Sequence, residues 1–330
     1  MKKVIIFIFL AAIFAASTQA QIKSELVDTT KYYAFHLNYW FNMHHLLWVE
    51  SFMNEKADST IMTIKLAKSD RAKLDATLDY YKEKLLSEDL RFSDYMQSFK
   101  KWITEDGSNL TSVPKKYKEH IEVLKEFDPI YQKYFWATHK EACESILNNH
   151  LALIKNTEEE FVERITTLTR QYWQFETEKI RVDLSYFGKS TTRSFGINPY
   201  TTLFPTHVVM SAFKQDRAKG SWLELLYHES AHHLILENSY FVAGTIKDLA
   251  QVEKFKIPRQ LSHSYLFFFT GQITKELLEE QGIDYPQIYM DREKVFYNYF
   301  PLLQKHLTPY MNREVTLTEA TRRFIADFND

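Results

Sequence analysis

The chain has 330 residues, 45% of them hydrophobic and 15% aromatic, enough to bury the core of one large domain or two ordinary ones. Lys and Arg number 41 against 43 Asp and Glu, so no basic excess is available to follow a phosphate backbone, and nucleic acid is not an expected partner. The 7 glycines and 8 prolines begin only at Gly107 and Pro114, which argues against a turn-rich β fold and for long helices.

In chain order, Lys2 and Lys3 precede an apolar run from Val4 to Ala16, and Ser17-Thr18-Gln19-Ala20 supplies small residues for a cut before Gln21. These are the three parts of a secretory signal peptide, so residues 1–20 are set aside and the remainder is expected in the periplasm or outside the cell. The apolar run is too short for a stable membrane anchor. The single cysteine, Cys143, permits no internal disulfide and is expected to be a buried, inert thiol.

From about Lys31 to Asp106 the pattern reads as helix, interrupted only by polar junctions. Leu78, Tyr81 and Leu85, then Phe92, Met96 and Phe99, recur at three-and-four spacing. His36, His44 and His45 lie in this aromatic-rich stretch and read as structural histidines. A second helix is expected over about Pro129 to Asn149. A third should open on Thr157-Glu158-Glu159-Glu160, a capping-box pattern, and bury Phe161, Ile165, Leu168 and Tyr172. Near residue 180 the period changes. Ile180, Val182 and Leu184 alternate with polar residues, and Thr206–Ser211 reads as another strand, so the two could form a hairpin or a small antiparallel or mixed sheet. Ser221-Trp222-Leu223-Glu224 then opens a helix with a second capping-box signature.

That helix carries His228-Glu229-Ser230-Ala231-His232. Residues four apart share a helical face, so two imidazoles can meet one ion, with zinc the expected metal at one per chain. Glu229 is turned about 100° from His228 and suits a general base acting on the attacking water. His263, near the start of an apolar helix, is the leading third ligand; Glu253, Asp248 and Glu276 stay open. Glu224 is either a partner for a ligand imidazole or a capping acid. His139 and His207 are possible cleft residues, and Arg193, Tyr200 and Tyr265 are candidates for stabilising an oxyanion at the cleft.

The motif and the order of elements around it resemble the zincin metallopeptidases. The resemblance implies an edge strand beside the active helix along which extended substrate lies, at about Thr206–Phe213. Ile235 and Asn238 exclude the metzincin extension. Glu253 lacks the acidic motif of the thermolysin-like branch, and Asp248 is one place out of the aspzincin signature. Tyr200-Thr201-Thr202, Pro205-Thr206-His207, and His263 with Phe267-Phe268-Phe269-Thr270-Gly271 resemble a poorly characterised group of bacterial HExxH proteins.

The expectation is therefore a predominantly helical α+β protein, with a helical portion over 21–175 and a zincin-like portion over 176–330 packed as one body. The implied activity is an exported zinc hydrolase acting on a peptide or other amide. A catalytically inactive binding protein of the same fold and an amidase acting on cell-wall or non-protein amides stay open.

Overall fold

The computed structural model describes residues 25–53, 64–105, 110, 112–175, 177–189, 196–203, 206–213, 220–235, 240–254 and 256–329. The expected signal peptide, residues 1–20, and Arg193 lie outside the described residues. What is described is α+β and mostly helical, with one small mixed sheet. No helix among the described residues is long and apolar enough to cross a membrane.

The sheet begins where helix was expected. β1 (Glu25–Thr29) and β2 (Tyr33–Leu37) form an antiparallel pair, and Tyr33, Phe35 and Leu37 alternate inward with a period of two. The buried carboxylate of Glu158 fixes their turn. It accepts from the Thr30 hydroxyl at 2.6 Å and from the backbone N–H groups of Lys31 and Tyr32 at 2.7 and 3.2 Å. Thr157 and Glu158 thus stand inside one long helix rather than at a helix start.

Five helices follow: α1 (Tyr39–Met53), α2 (Lys68–Lys84), α3 (Asp94–Thr104), α4 (Lys118–Tyr134) and the 34-residue α5 (Trp136–Thr169). Ser93 caps α3 by accepting from the Met96 N–H at 3.2 Å. Phe92 therefore precedes the helix and is 68% exposed, and Tyr172, beyond the end of α5, is equally exposed. Both were expected in buried stripes. The helices end before those positions, so the three-and-four spacing no longer directs them inward.

The chain then returns to the sheet. β3 (Ile180–Ser185) pairs in parallel with β2 on one side and with β5 (Thr206–Ser211) on the other. Of the arrangements left open, the hairpin of β3 with β5 does not form and the mixed sheet does; β4 (Tyr200–Leu203) lies antiparallel to β5 at the sheet edge. The order is β1-β2-β3-β5-β4, so strands from both sides of residue 175 share one sheet.

The sheet divides two cores. Tyr33, Phe35, Val182, Leu184, Val208 and Met210 face one core with α5 and the C-terminal helices, while Tyr200 and Val209 face the other with α1 to α4. The C-terminal layer holds α6 (Ser221–Ala231), α7 (Phe241–Glu253), α8 (Leu261–Glu280), α9 (Tyr289–Arg292), α10 (Phe300–Met311) and α11 (Leu317–Asn329).

Gly220, at φ +88°, stands before α6, which has no side-chain cap. A Cβ there would lie 2.4 Å from Leu278, so both conformation and space require glycine. The capping box expected from Ser221 and Glu224 is absent, and Glu224 serves tertiary contacts instead. α6 is held on three sides. The Trp222 indole donates to the Ser211 carbonyl at 3.0 Å; the Tyr227 hydroxyl meets that of Thr157 at 2.6 Å; Glu224 Oε2 accepts from Tyr285 Oη at 2.7 Å and the Tyr289 N–H at 2.8 Å. Every residue of α6 is buried, so its side chains are fixed by packing as well as by helix geometry.

Candidate metal centre

α6 ends at Ala231, and His232 begins a single 3₁₀ turn, His232–Leu234. The tighter turn still leaves His228 and His232 close, with ring centroids 4.6 Å apart. α8 packs against α6 and brings His263 to them. The Nε2 atoms of His228 and His232 each lie 3.2 Å from Nε2 of His263. One ligand atom from each of the three residues falls within 4.8 Å of the others. The structure thus gathers the two motif histidines with the leading third candidate.

Hydrogen bonding alone does not account for this convergence. A single proton on His263 Nε2 can serve one neighbour and not both. Burial lowers all three imidazoles: His228 well below its ordinary value, His232 to about 3 and His263 to about 4. All three are therefore neutral at pH 7, with lone pairs free for a cation. A tetrahedral ion about 2.0–2.1 Å from each nitrogen would space those nitrogens roughly 3.3–3.4 Å apart, close to the two separations from His263, and the third lies within 4.8 Å. The group fits a metal ion on donor type and on separation.

Phe267, one turn after His263, stacks on His228 with centroids 3.6 Å apart, and Phe296 meets His263 edge-on at 5.6 Å. These rings restrict imidazole rotation. His232 and His263 are only partly buried, so the cluster is open on one side. Glu229 lies beside it, 8% exposed, with Oε2 3.4 Å from His232 Nδ1. Burial raises the Glu229 carboxyl to about 8, while the positive charges of Arg91 and Lys100 pull it back down. Glu224 is buried on the same helix, but no hydrogen bond joins it to His228. Its Oε1 and the Nδ1 of His228 both lack a partner among the described residues.

The other candidate ligands go elsewhere. Glu253 accepts from Arg322 Nε at 2.7 Å, Glu276 faces Arg164 at 3.2 Å, and Asp248 is exposed on α7. The Tyr265 hydroxyl donates to Thr321 Oγ1 at 3.2 Å in the α11 interface and does not line the centre. His233 turns away from His232; its Nδ1 bonds the Ser230 carbonyl at 2.8 Å, and its ring packs against Trp173 and Phe175.

Tyr200 and His207 belong to a buried polar network on the opposite face of the sheet. The His45 Nδ1–H donates to the Phe187 carbonyl at 2.7 Å, leaving Nε2 to accept from Tyr200 Oη at 3.0 Å. His207 Nε2 bonds Asp183, which also accepts from Arg181 Nε at 2.7 Å. Lys100, 3% exposed, donates to Thr202 Oγ1 at 2.7 Å and sits 5.1 Å above the Tyr200 ring. Burial lowers Lys100 to about 7, with the Asp183 carboxylate opposing the shift.

His44 bonds Tyr81 Oη at 3.0 Å, and His139 bonds Tyr131 Oη at 3.0 Å while stacking on Tyr186, so both are structural. Cys143 is a buried free thiol whose pKa burial pushes up.

The expected edge strand is displaced by one. Thr206–Ser211 is interior, and β4 is the edge beside α6 and the His232 turn. Sequence reasoning missed Arg91 and Lys100, whose charges act on Glu229 from the N-terminal layer. For Lys100 a signal existed: it follows Met96 by four and precedes Ile103 by three, a lysine set in an apolar stripe. The chain matches no family model, no curated protein and no solved structure.

Proposed function

We propose that this chain is an exported zinc-dependent hydrolase that cuts peptide bonds. The observation that carries the reading is the meeting of three neutral imidazole Nε2 atoms beside a buried carboxylate. His228, His232 and His263 would hold the ion. Three histidines leave a fourth position free, the pattern of catalytic rather than structural zinc sites. Zinc in such a site polarises a carbonyl and makes water acidic enough to attack at neutral pH.

The chain's own groups supply the rest. A cation held by the three histidines would draw the neighbouring Glu229 back to its ionised form, and Glu229 would then take the proton from the attacking water and return it to the leaving amine. Its low exposure keeps bulk water from competing for that proton. Phe267 and Phe296 hold the imidazoles in place, and β4 offers an edge along which an extended chain could pair. The N-terminal leader supports export.

The test is digestion of a denatured protein mixture by zinc-loaded protein, with new termini identified by mass spectrometry. Cleavage should stop with a chelator and in Glu229→Gln. Cleavage that persists in Glu229→Gln, or its absence across a broad peptide mixture, contradicts the reading.

A further inference from the structure

Two buried polar side chains on α6 stand one turn apart, each with an atom that lacks a partner among the described residues. Glu224 and His228 are each 1% exposed and are four residues apart, so they share a helical face. Side chains on a helix lean toward its N-terminus, which carries the His228 ring over the turn that holds Glu224. α8 covers this face in matching steps. Phe267 stacks on the His228 ring with centroids 3.6 Å apart, and Gly271, one turn further along α8, lies against Glu224. A Cβ on Gly271 would come within 2.8 Å of Glu224 Oε1, so glycine is what lets the carboxylate occupy this layer.

The two oxygens of that carboxylate are used differently. Oε2 accepts from Tyr285 Oη at 2.7 Å and from the Tyr289 N–H at 2.8 Å, which anchors the group. Oε1 is buried and accepts from nothing among the described residues, and His228 Nδ1 is buried and equally unpartnered. His228 turns its Nε2 toward His263 at 3.2 Å, so a ring that gives Nε2 to a cation carries its proton on Nδ1. A buried N–H without an acceptor then stands one turn from a buried oxygen without a donor, and each is costly left alone. His232 differs, because its Nδ1 already meets the Glu229 carbonyl at 3.4 Å.

We propose that Glu224 is a positioning residue for the metal centre: its Oε1 accepts, through one ordered water, the hydrogen bond that the His228 Nδ1–H has to give. This rests on the metal-centre reading and deepens it. A carboxylate in that role fixes the tautomer and orientation of the ring and makes Nε2 a better donor toward the ion. One water suits the arrangement, since it satisfies a buried donor and a buried acceptor together.

The experiment compares zinc affinity, metal-free stability and the histidine ring protons of the parent and of Glu224→Gln. Competition with a chromophoric chelator should show the variant binding zinc about 10- to 100-fold more weakly. Urea unfolding of the metal-free proteins near neutral pH should show the variant no less stable than the parent. A merely structural role would not weaken metal binding while sparing the metal-free fold. In zinc-loaded protein carrying isotope-labelled histidine, one Nδ1–H resonance of the parent should move upfield in the variant, as its carboxylate acceptor is lost. Equal zinc affinity in parent and variant overturns this inference and leaves the metal centre standing, as does an unmoved histidine spectrum or a loss of affinity matched by a loss of metal-free stability. A parent that binds no zinc overturns the metal-centre reading and this inference with it.

Discussion

Glu224→Gln isolates one buried carboxyl whose ionisation works against the fold. Glu224 is 1% exposed, and burial raises it from 4.5 to about 7 despite the hydrogen bonds from Tyr285 and Tyr289. Below pH 4.5 it is protonated in both folded and unfolded chains and costs nothing. Between pH 4.5 and 7 the unfolded chain has released its proton while the folded one retains it, so stability falls as pH rises. Above pH 7 both are ionised and the full cost remains.

A shift of this size corresponds to about 3 kcal/mol at 1.36 kcal/mol per unit. Glutamine can still accept from Tyr285 and Tyr289 and does not ionise. Urea unfolding in the presence of a chelator, repeated from pH 4 to pH 8, should show the variant gaining on the parent by about 2–4 kcal/mol across that range. A stability difference that stays flat with pH would refute the reasoning, because it would mean that folding leaves Glu224 as easily ionised as in the unfolded chain.

Three further outcomes follow from the same geometry. Glu229→Gln should keep bound metal and folding, measured by metal analysis and circular dichroism, and slow turnover by about 10² to 10⁴, since glutamine hydrogen-bonds water but cannot take its proton. Gly271→Ala would place a Cβ 2.8 Å from Glu224 Oε1 and 3.0 Å from Ile288 Cβ, so thermal unfolding should report a loss of about 1–3 kcal/mol. Asp183→Asn removes the carboxylate shared by Arg181 and His207 in a fully buried position, and denaturant unfolding should register about 3–5 kcal/mol of destabilisation.

The local spacing of the motif was legible because helix geometry alone brings residues four apart together. His263 was legible only as one of four candidates, since which helix crosses α6 depends on packing that no local pattern records. Tyr33, Phe35 and Leu37 did carry a period-two signal, but the aromatic helix beginning at Tyr39 extended the helical reading over it. Ser221 and Glu224 show the opposite error. Their spacing fits a capping box, yet Glu224 is drawn into the protein by Tyr285 and Tyr289, and Gly220 starts the helix instead. The order β3-β5-β4 was hidden as well. Parallel pairing of β3 with β5 requires the intervening β4 to move to the edge, and alternation within a strand does not specify its neighbours. The charge of Arg91 acts on Glu229 from more than a hundred residues upstream, and nothing in its local sequence marks that influence.

The most direct test of the account is metal binding by the purified protein and by His228→Ala, His232→Ala and His263→Ala, with stoichiometry from elemental analysis and affinity from competition with a chromophoric chelator. The account predicts about one zinc per chain in the parent and a large loss of affinity in each of the three variants, because each removes one of three ligands. Absence of bound metal after zinc is supplied, or a His263→Ala variant that binds as tightly as the parent, would contradict it.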